Sequence, residues 1–458
     1  MMSIYISAAH KSSGKTVISL GLCAAFKERT LKVQSFKKGP DYIDPIWLSQ
    51  ASGNACYNLD FYTMSDDEIR ALFHQQQSDI SIVEGNKGLY DGMTVSGGDA
   101  NADMAKLLNS SVILVIDTTG ITRGIAPLLM GYQAFDSDVN IAGVILNKVA
   151  GERHESKLLQ AIEYYTDTPV LGAIRRSKAL IINERHLGLV PANESAQSQA
   201  FIDSAGRIIA DQVNLDKILL LNGLTPKGGI PLFSKKEKKV TPPLTASPLS
   251  LTVAVAKDEA FGFYYQDDMN AFKSLGVKIE YFDTLKASKL PRCDGLFIGG
   301  GFPEMQLEAL SNNHLLLADI KSKIEQGLPT YAECGGLMYL SREISHQGKT
   351  HKMVGVIKGD TVMTPKPIGR GYVQLTPTKA HPWSGVAEKI YAHEFHYSKL
   401  ENIDPKTHYA YKVLRGVGVD NKQDGILTHN LLATYAHLRS VGGNHWVKQF
   451  VNFIKVKL

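Results

Sequence analysis

The 458-residue chain is too long for one ordinary hydrophobic core, which predicts two or more domains. Its 44% hydrophobic and 21% charged residues are typical of a globular protein, and a net charge of +5 without a long basic block argues against a nucleic-acid partner. The four scattered cysteines suit a reducing compartment, and no apolar run approaches the roughly 18 residues of a membrane helix. We therefore expect a cytoplasmic protein with no membrane or nucleic-acid partner.

A phosphate-binding loop follows the first predicted strand, which covers residues 3–8. The sequence AHKSSGKT (residues 9–16) matches G-x-x-x-x-G-K-[ST] with Ala9 in the place of the first glycine, and a helix-forming run follows. Loop amides and the helix N-terminus would hold phosphate, Lys15 adds positive charge, and the Thr16 hydroxyl can ligate Mg²⁺. These features predict a bound nucleotide phosphate together with Mg²⁺. The loop residues expected at the nucleotide are Ser13, Gly14, Lys15 and Thr16.

Charged loops follow the next two predicted strands. The sequence KKGPDYIDP (residues 37–45) is either plain solvated charge or a site whose lysines hold phosphate while Asp41 and Asp44 hold a metal or an acidic substrate. A later apolar strand ends in Glu84 and resembles a Walker B element, which would lie near Mg²⁺. A glycine-rich loop carrying Asp91 comes next.

The alternation of apolar strands with helical stretches continues to about residue 175. This pattern predicts a parallel, doubly wound sheet whose ligands bind beyond the carboxyl ends of the strands. Asn147, at one such end, could read a nucleotide base or form a simple turn. The further strands of this pattern are expected over 112–117, 141–146 and 169–174, with a helix over 123–135.

A new α/β pattern begins in the second half of the chain. Apolar strands over 251–256 and 295–298 flank a helical stretch over 266–275. The second strand runs into GGGFPE (residues 299–304), whose consecutive glycines let backbone amides point at one spot, as an oxyanion hole needs. The glycines expected in this pocket are Gly300, Gly301 and Gly335.

A strand-turn-helix stretch about 30 residues later carries Cys334. An extended run over 328–333 ends at this cysteine, and two glycines and a helix-forming run follow. The helix N-terminus carries partial positive charge, which favours thiolate over thiol. A cysteine nucleophile needs a histidine base, and the residues alone leave His393, His396 and His437 as candidates.

These patterns together predict the domain organisation. We expect a P-loop domain over 1–223, an exposed lysine- and proline-rich linker over 224–249, a second α/β domain over 250–447 and a C-terminal tail over 448–458.

The motifs resemble the cobyrinic acid a,c-diamide synthase family, in which an ATP-dependent amidoligase is fused to a class I glutamine amidotransferase. The N-terminal half is also similar to dethiobiotin synthetase. The resemblance implies a P-loop domain like that of dethiobiotin synthetase followed by a flavodoxin-like amidotransferase domain. It lies in residues 7–9 with 13–16, 36–45, 84–85 with 88–92, 185–190, 258–261, 299–304, 331–340, 393–398 and 435–438.

The resemblance implies a role for each motif. Cys334 would release ammonia from L-glutamine with His437 as base, and the ammonia would amidate a phosphorylated carboxylate of a tetrapyrrole such as cobyrinic acid. The residues implied at the ATP-dependent site are Lys15 and Lys37 for phosphates, Thr16, Asp41, Asp44 and Glu84 for Mg²⁺, Asn147 for the nucleotide, and Tyr42 and Asp91 for the substrate.

One residue departs from the wider class I pattern. Those enzymes usually carry His-x-Glu, whereas His437 is followed two residues later by Arg439. The cobyrinate branch also tends to lack this glutamate, so Glu394 or another carboxylate could take its place.

Other functions stay open at this stage. The P-loop variant favours a sirohaem-amidating branch, and nickel sirohydrochlorin is a further candidate substrate. Cobyric acid synthase, CTP synthase and a partition-type ATPase are rival classes, and a homodimer is left open.

Overall fold

The computed structural model describes residues 2–76, 78–182, 184–185, 188–194, 197–223 and 251–458. The predicted linker over 224–249 and part of the 185–190 motif, including His186, lie outside the described residues. The chain divides into two compact units, Met1–Phe61 with Asp66–Ser247 and Tyr62–Ser65 with Pro248–Leu458. A short segment near residue 63 is thus grouped with the second half of the chain. No helix among the described residues is long and apolar enough to span a membrane.

The first unit is built on a parallel sheet with the strand order β3-β2-β4-β1-β5-β6-β7. Its strands are β1 (Met2–Ala8), β2 (Val33–Lys38), β3 (Tyr57–Leu59), β4 (Ile80–Glu84), β5 (Ser111–Asp117), β6 (Ile141–Val149) and β7 (Val170–Arg175), with a separate pair, β8 (Glu184–Arg185) and β9 (Gly188–Leu189). Its helices are α1 (Lys15–Glu28), α2 (Ile43–Ser52), α3 (Asp66–Gln75), α4 (Asn101–Leu107), α5 (Ile125–Phe135), α6 (Glu152–Tyr165), α7 (Ser198–Gln212) and α8 (Leu215–Leu221).

The central strands of this sheet are buried along their whole length, as expected for a parallel sheet covered by helices. In the register of the sheet, Glu84 at the end of β4 is level with Ile6 on one side and Lys37 on the other. The charged ends of β2 and β4 and the loop after β1 therefore lie at one edge.

The second unit contains a mixed sheet with the order β12-β10-β13-β15-β24-β23-β22-β19-β20. Its strands are β10 (Thr252–Ala256), β11 (Phe261–Phe263), β12 (Lys278–Phe282), β13 (Gly295–Ile298), β14 (Gly300–Gly301), β15 (Thr330–Glu333), β16 (Glu343–His346), β17 (Lys349–Lys352), β18 (Asp360–Met363), β19 (Gly369–Pro377), β20 (Ile390–His396), β21 (Ser398–Glu401), β22 (His408–Arg415), β23 (Gln423–Thr428) and β24 (Leu431–Thr434). Its helices are α9 (Gln266–Ser274), α10 (Leu307–Asn312), α11 (His314–Glu325), α12 (Gly335–Leu340) and α13 (Trp446–Lys457).

The sheet of the second unit changes character along its width. From β12 to β24 neighbouring strands are parallel, whereas from β24 to β20 they are antiparallel. The predicted α/β fold class is confirmed in both units. The antiparallel extension was not predicted, because the motif over residues 393–398, which begins on β20, was interpreted only for its histidines.

The predicted C-terminal tail over 448–458 is wrong. These residues form most of α13, whose Phe450, Val451 and Ile454 are buried in the core of the second unit. Gly295 of β13 allows the helix to pack closely, because a Cβ there would lie 2.5 Å from Ile454 Cδ1. Apolar residues at positions 447, 450, 451 and 454 recur at the spacing of one helix face, which is the signal that was overlooked.

Candidate active sites

The phosphate-loop candidate connects β1 to α1 in a strained conformation. Ser12 and Gly14 both have positive φ angles, 64° and 91°. The side-chain amide of Asn147 donates a 2.8 Å hydrogen bond to the Ser13 carbonyl oxygen, and a Cβ on Gly14 would collide with that amide. The Asn147 oxygen in turn accepts from the Lys148 backbone. Asn147 thus braces the loop, and its role in reading a base stays a prediction.

Lys15 is the cation best suited to bind phosphate. It is only 6% exposed, and its ammonium makes no hydrogen bond or ion pair with any described residue. Burial lowers the pKa of Lys15 to about 8, with the positive charge of Lys37 as the next cause. With a pKa of about 8, the group still carries its charge at neutral pH, so its ammonium can bind an anionic ligand.

Lys37 joins two carboxylates at the edge of the sheet. Its Nζ lies 2.5 Å from Asp44 Oδ2 and 2.9 Å from Glu84 Oε1. The Thr16 hydroxyl donates to the same Glu84 oxygen at 2.7 Å and lies 3.5 Å from Asp44 Oδ2. The structure therefore brings together a hydroxyl at the start of α1, an ammonium at the end of β2, and two carboxylates, one at the start of α2 and one at the end of β4.

The second carboxylate oxygen of Glu84 fits a bound cation. Oε2 is buried and has no hydrogen-bond partner among the described residues. Burial raises the pKa of Glu84 to about 7, although the neighbouring Lys37 opposes this. The described residues hold no cluster of three or more His, Cys, Asp or Glu side chains shaped for a metal. Mg²⁺ at Glu84 and Asp44 would need phosphate and water oxygens as further ligands, which is its usual manner of binding.

Two of the predicted site residues, Asp41 and Asp91, accept hydrogen bonds from nearby backbone amides. Asp41 Oδ1 accepts from the backbone of Ile43 and Asp44 at the start of α2, and burial raises its pKa to about 6. Asp91 Oδ2 accepts from the Gly88 backbone at 3.0 Å. Neither contact joins them to the Lys37 cluster. Tyr42 is buried at the N-terminus of α2.

Cys334 occupies a sharp turn in the second unit. Its backbone has φ 47° and ψ −102°, a conformation that non-glycine residues rarely adopt. Its amide donates to the Thr434 carbonyl at 2.7 Å, which ties the turn to β24. A Cβ on Gly336 would overlap the Ile298 carbonyl oxygen, so the second glycine after the cysteine is required for close packing.

The glycine loop after β13 lies beside this turn. Gly300 and Gly301 pair with β11 as a short antiparallel strand, so they form a fixed loop. A Cβ on Gly335 would lie 3.1 Å from the Gly301 nitrogen, and one on Gly300 would lie 2.5 Å from His437 Cε1. The predicted oxyanion residues therefore surround the turn and the histidine.

The resting thiol differs from the sequence-based expectation. Burial raises the pKa of Cys334 above its usual range, and the carboxylate of Glu304 adds to this. A contact with the Gly335 amide lowers the pKa but is outweighed. Burial therefore opposes the thiolate that the helix N-terminus was expected to favour, because removal from water disfavours the charged form. A base is needed to ionise the thiol.

Of the three candidate histidines, His437 is the one held against the glycine loop. It bonds through its backbone to His393, whose pKa burial lowers to about 3, with the charge of His437 as the next cause. His396 stacks on Tyr435 at 4.0 Å and its Nδ1 lies 2.8 Å from the Ser398 carbonyl. His437 Nδ1 lies 3.4 Å from Glu333 Oε2. This contact was not predicted, because it joins the end of β15 to a segment that follows β24, about 100 residues later in the sequence.

Arg439, which stands at the position of the usual glutamate, and Glu394, its suggested substitute, each make other contacts. Arg439 is buried and donates from Nε and an Nη to Asp267 Oδ2 at 2.9 and 2.6 Å. Glu394 accepts from the backbone of Val417 and Gly418 at 2.7 and 2.9 Å. Its Oε2 also lies 3.9 Å from His396 Nε2. Glu394 therefore stabilises a turn after β22, and these contacts do not join it to His437.

Two family models match the chain. Residues 5–189 match the CobQ/CobB/MinD/ParA nucleotide binding domain, and residues 252–444 match the CobB/CobQ-like glutamine amidotransferase domain. Fold and sites together define a class of protein in which a P-loop nucleotide-binding domain and a glutamine amidotransferase domain share one chain.

Curated relatives match nearly the whole chain. The cobyrinate a,c-diamide synthase of Magnetococcus marinus is 43% identical, covering 98% of this chain and 96% of its own. The cobyrinate a,c-diamide synthase of Methanobrevibacter smithii is 38% identical, covering 97% of this chain and 98% of its own. That of Listeria monocytogenes is also 38% identical and covers 96% of each chain. The chain belongs to the cobyrinate a,c-diamide synthase family. The solved structure of PurLQS from Thermotoga maritima overlaps 46% of the chain and 99% of its own at 16% identity with a TM-score of 0.36, too low a similarity to argue from.

Proposed function

We propose that the protein uses ATP and L-glutamine to amidate the a- and c-acetate carboxylates of cobyrinic acid. The observation that carries this proposal is the full-length similarity to relatives of that name, with 43% identity over 98% of the chain. The aligned length spans both candidate sites, so the ammonia-producing and carboxylate-activating halves are shared together. None of the relatives described above is named for sirohaem or nickel sirohydrochlorin, so the sirohaem-amidating alternative rests on the P-loop variant alone. A homodimer and a cytoplasmic location stay predictions.

The glutaminase half follows from the chemistry of Cys334 and His437. The histidine takes the thiol proton as sulfur bonds to the amide carbon of glutamine. It then returns that proton to the departing amide nitrogen, which leaves as ammonia. Water hydrolyses the thioester, which releases glutamate and restores the thiol. Backbone amides at Gly300, Gly301 and Gly335 would stabilise the oxyanion.

The synthetase half uses the cluster at the edge of the first unit's sheet. ATP with Mg²⁺, when bound, supplies the phosphoryl group that activates a substrate carboxylate, and ammonia then displaces phosphate to leave an amide. Lys15 would hold phosphate oxygens, and Thr16, Asp44 and Glu84 would hold the metal. Lys37 would balance the charge of the carboxylates and contact phosphate. Tyr42 and Asp91 are proposed on the substrate side.

Product analysis from a panel of acids tests the substrate. The purified protein would be given ATP, Mg²⁺ and glutamine with cobyrinic acid, sirohaem or nickel sirohydrochlorin, and the products weighed by mass spectrometry. We expect cobyrinic acid to gain two amides and Lys15→Ala to make none. Amidation of sirohaem alone would overturn the proposed substrate while leaving the reaction class intact, and no amidation of any acid would overturn both.

A further inference from the structure

Glu333, the residue immediately before the nucleophile, has one carboxylate oxygen fixed and the other directed at the base. Oε1 accepts hydrogen bonds from the Tyr331 hydroxyl at 2.6 Å and the Leu438 backbone at 2.8 Å. Oε2 lies 3.4 Å from His437 Nδ1. The side chain is almost completely buried, at 4% exposure, so its position is set by these contacts.

The sheet explains why these residues meet. β15 and β24 are parallel neighbours, with Glu333 level with Thr434 in the register. The chain leaves β24 and reaches His437 three residues later, where its backbone pairs with His393. Asp424 supports this segment by accepting from the backbone of Tyr435 and Ala436 at 3.0 and 2.9 Å.

We propose that Glu333 is the positioning carboxylate of the glutaminase site, holding the Nδ1–H of His437 so that Nε2 can accept the proton of Cys334. This inference rests on the proposed roles of Cys334 and His437. It assigns the function of the missing His-x-Glu glutamate to a residue on a neighbouring strand, while Arg439 is engaged with Asp267.

The orientation of the ring agrees with this assignment. The Cε1 and Nε2 edge of His437 faces the glycine loop, since a Cβ on Gly300 would lie 2.5 and 3.4 Å from those atoms. That loop adjoins Gly335, the residue after the nucleophile. The 3.4 Å contact at Nδ1 is an ion-pair distance that does not have the geometry of a hydrogen bond in this structure. Catalytic hydrogen bonds are often long or poorly aligned without substrate and tighten when it binds.

Glu333→Gln separates orientation from packing. The glutamine oxygen can still accept from Tyr331 and Leu438, but its amide group then donates toward His437 Nδ1. That donation stabilises the tautomer with hydrogen on Nε2, which cannot accept the thiol proton. We expect the glutaminase kcat to fall about 10²–10⁴-fold with little change in KM, as for loss of an oriented general base.

The pH profile and a control variant distinguish positioning from structure. In Glu333→Gln the glutaminase rate should rise steadily with pH, because only solvent hydroxide then removes the thiol proton, while the wild type reaches a plateau.

Tyr331→Phe removes one hydrogen bond to Oε1 and keeps the carboxylate, so its kcat should stay within about 5-fold of the wild type. Ammonia-dependent amidation measures folding in every variant.

The outcomes are separable. A wild type that hydrolyses no glutamine would overturn the proposed function itself. If the wild type is active and Glu333→Gln is equally active, the positioning role is overturned. It is also overturned if the glutaminase kcat of Tyr331→Phe falls as far as that of Glu333→Gln. If Glu333→Gln fails to fold, Glu333→Asp decides the question, because it moves the charge by one methylene; we expect at least a 10-fold loss of kcat, and wild-type activity would contradict the proposal.

Discussion

Lys37 shows how one side chain can prepare a site before its ligand arrives. Burial alone would lower the pKa of its ammonium, but Asp44 and Glu84 raise that pKa above its ordinary value. The lysine therefore stays charged and neutralises two buried carboxylates. A phosphate-binding role for Lys37 was proposed from sequence, which placed it in a loop, whereas the structure places it on β2, and its contact with both carboxylates depends on the strand register.

Replacing Lys37 should damage both stability and synthesis. Lys37→Met leaves two buried carboxylates without their counter-charge. We expect the unfolding free energy to fall by about 3–5 kcal/mol, the usual cost of removing one partner of a buried ion pair. Ammonia-dependent amidation should fall by about 10²–10³-fold, because a charge at the phosphate site is lost. Denaturant unfolding and amide formation from ammonium chloride measure these effects.

The neighbouring Lys38 is the matched control. Its ammonium donates to the Asp99 carbonyl oxygen at 2.6 Å and lies in no carboxylate pair of the cluster. Lys38→Met should therefore lose less than about 10-fold in synthesis, since Asp44 and Glu84 keep their counter-ion. Near-wild-type synthesis by Lys37→Met, or equal losses in both variants, would contradict the assigned role.

At the scale of elements, strand ends carry the chemistry. Apolar runs predicted β1 and β13 to within one residue and the end of β4 at Glu84, because buried parallel strands are continuous hydrophobic stretches. The same patterns placed Glu84 and the glycine loop at strand ends. They could not place Glu333 beside His437, since that contact requires knowing that β15 and β24 are neighbours. The family resemblance, rather than any pattern, selected His437 among three histidines.

Helix α13 offers a test of the corrected C-terminal boundary. Ile454 is fully buried, whereas Val456 is 81% exposed on the same helix. Ile454→Ala should lower the unfolding free energy by about 2–5 kcal/mol through lost burial and a cavity. Val456→Ala should change it by less than about 0.5 kcal/mol. Thermal or denaturant unfolding of the full chain measures both, and equal stability of the two variants would restore the idea of a tail.

The whole molecule places one site in each of two compact units of a single chain. Lys15, Lys37 and Glu84 belong to the first unit, and Cys334, Glu333 and His437 to the second. The long motifs made this organisation predictable, since a P-loop and a cysteine turn with a distant histidine rarely occur together by chance. The grouping of Tyr62–Ser65 with the second unit was not predictable, because nothing in its sequence marks the change.

The central claim is that Cys334 releases the nitrogen that an ATP-dependent site installs. The most direct measurement follows product formation by mass spectrometry with amide-¹⁵N glutamine or with ammonium chloride as nitrogen source, in the wild type, Cys334→Ala and Lys15→Ala. We predict that the wild type transfers ¹⁵N to the substrate, that Cys334→Ala makes amide only from ammonium, and that Lys15→Ala makes none from either source. Full glutamine-dependent amidation by Cys334→Ala would contradict the account.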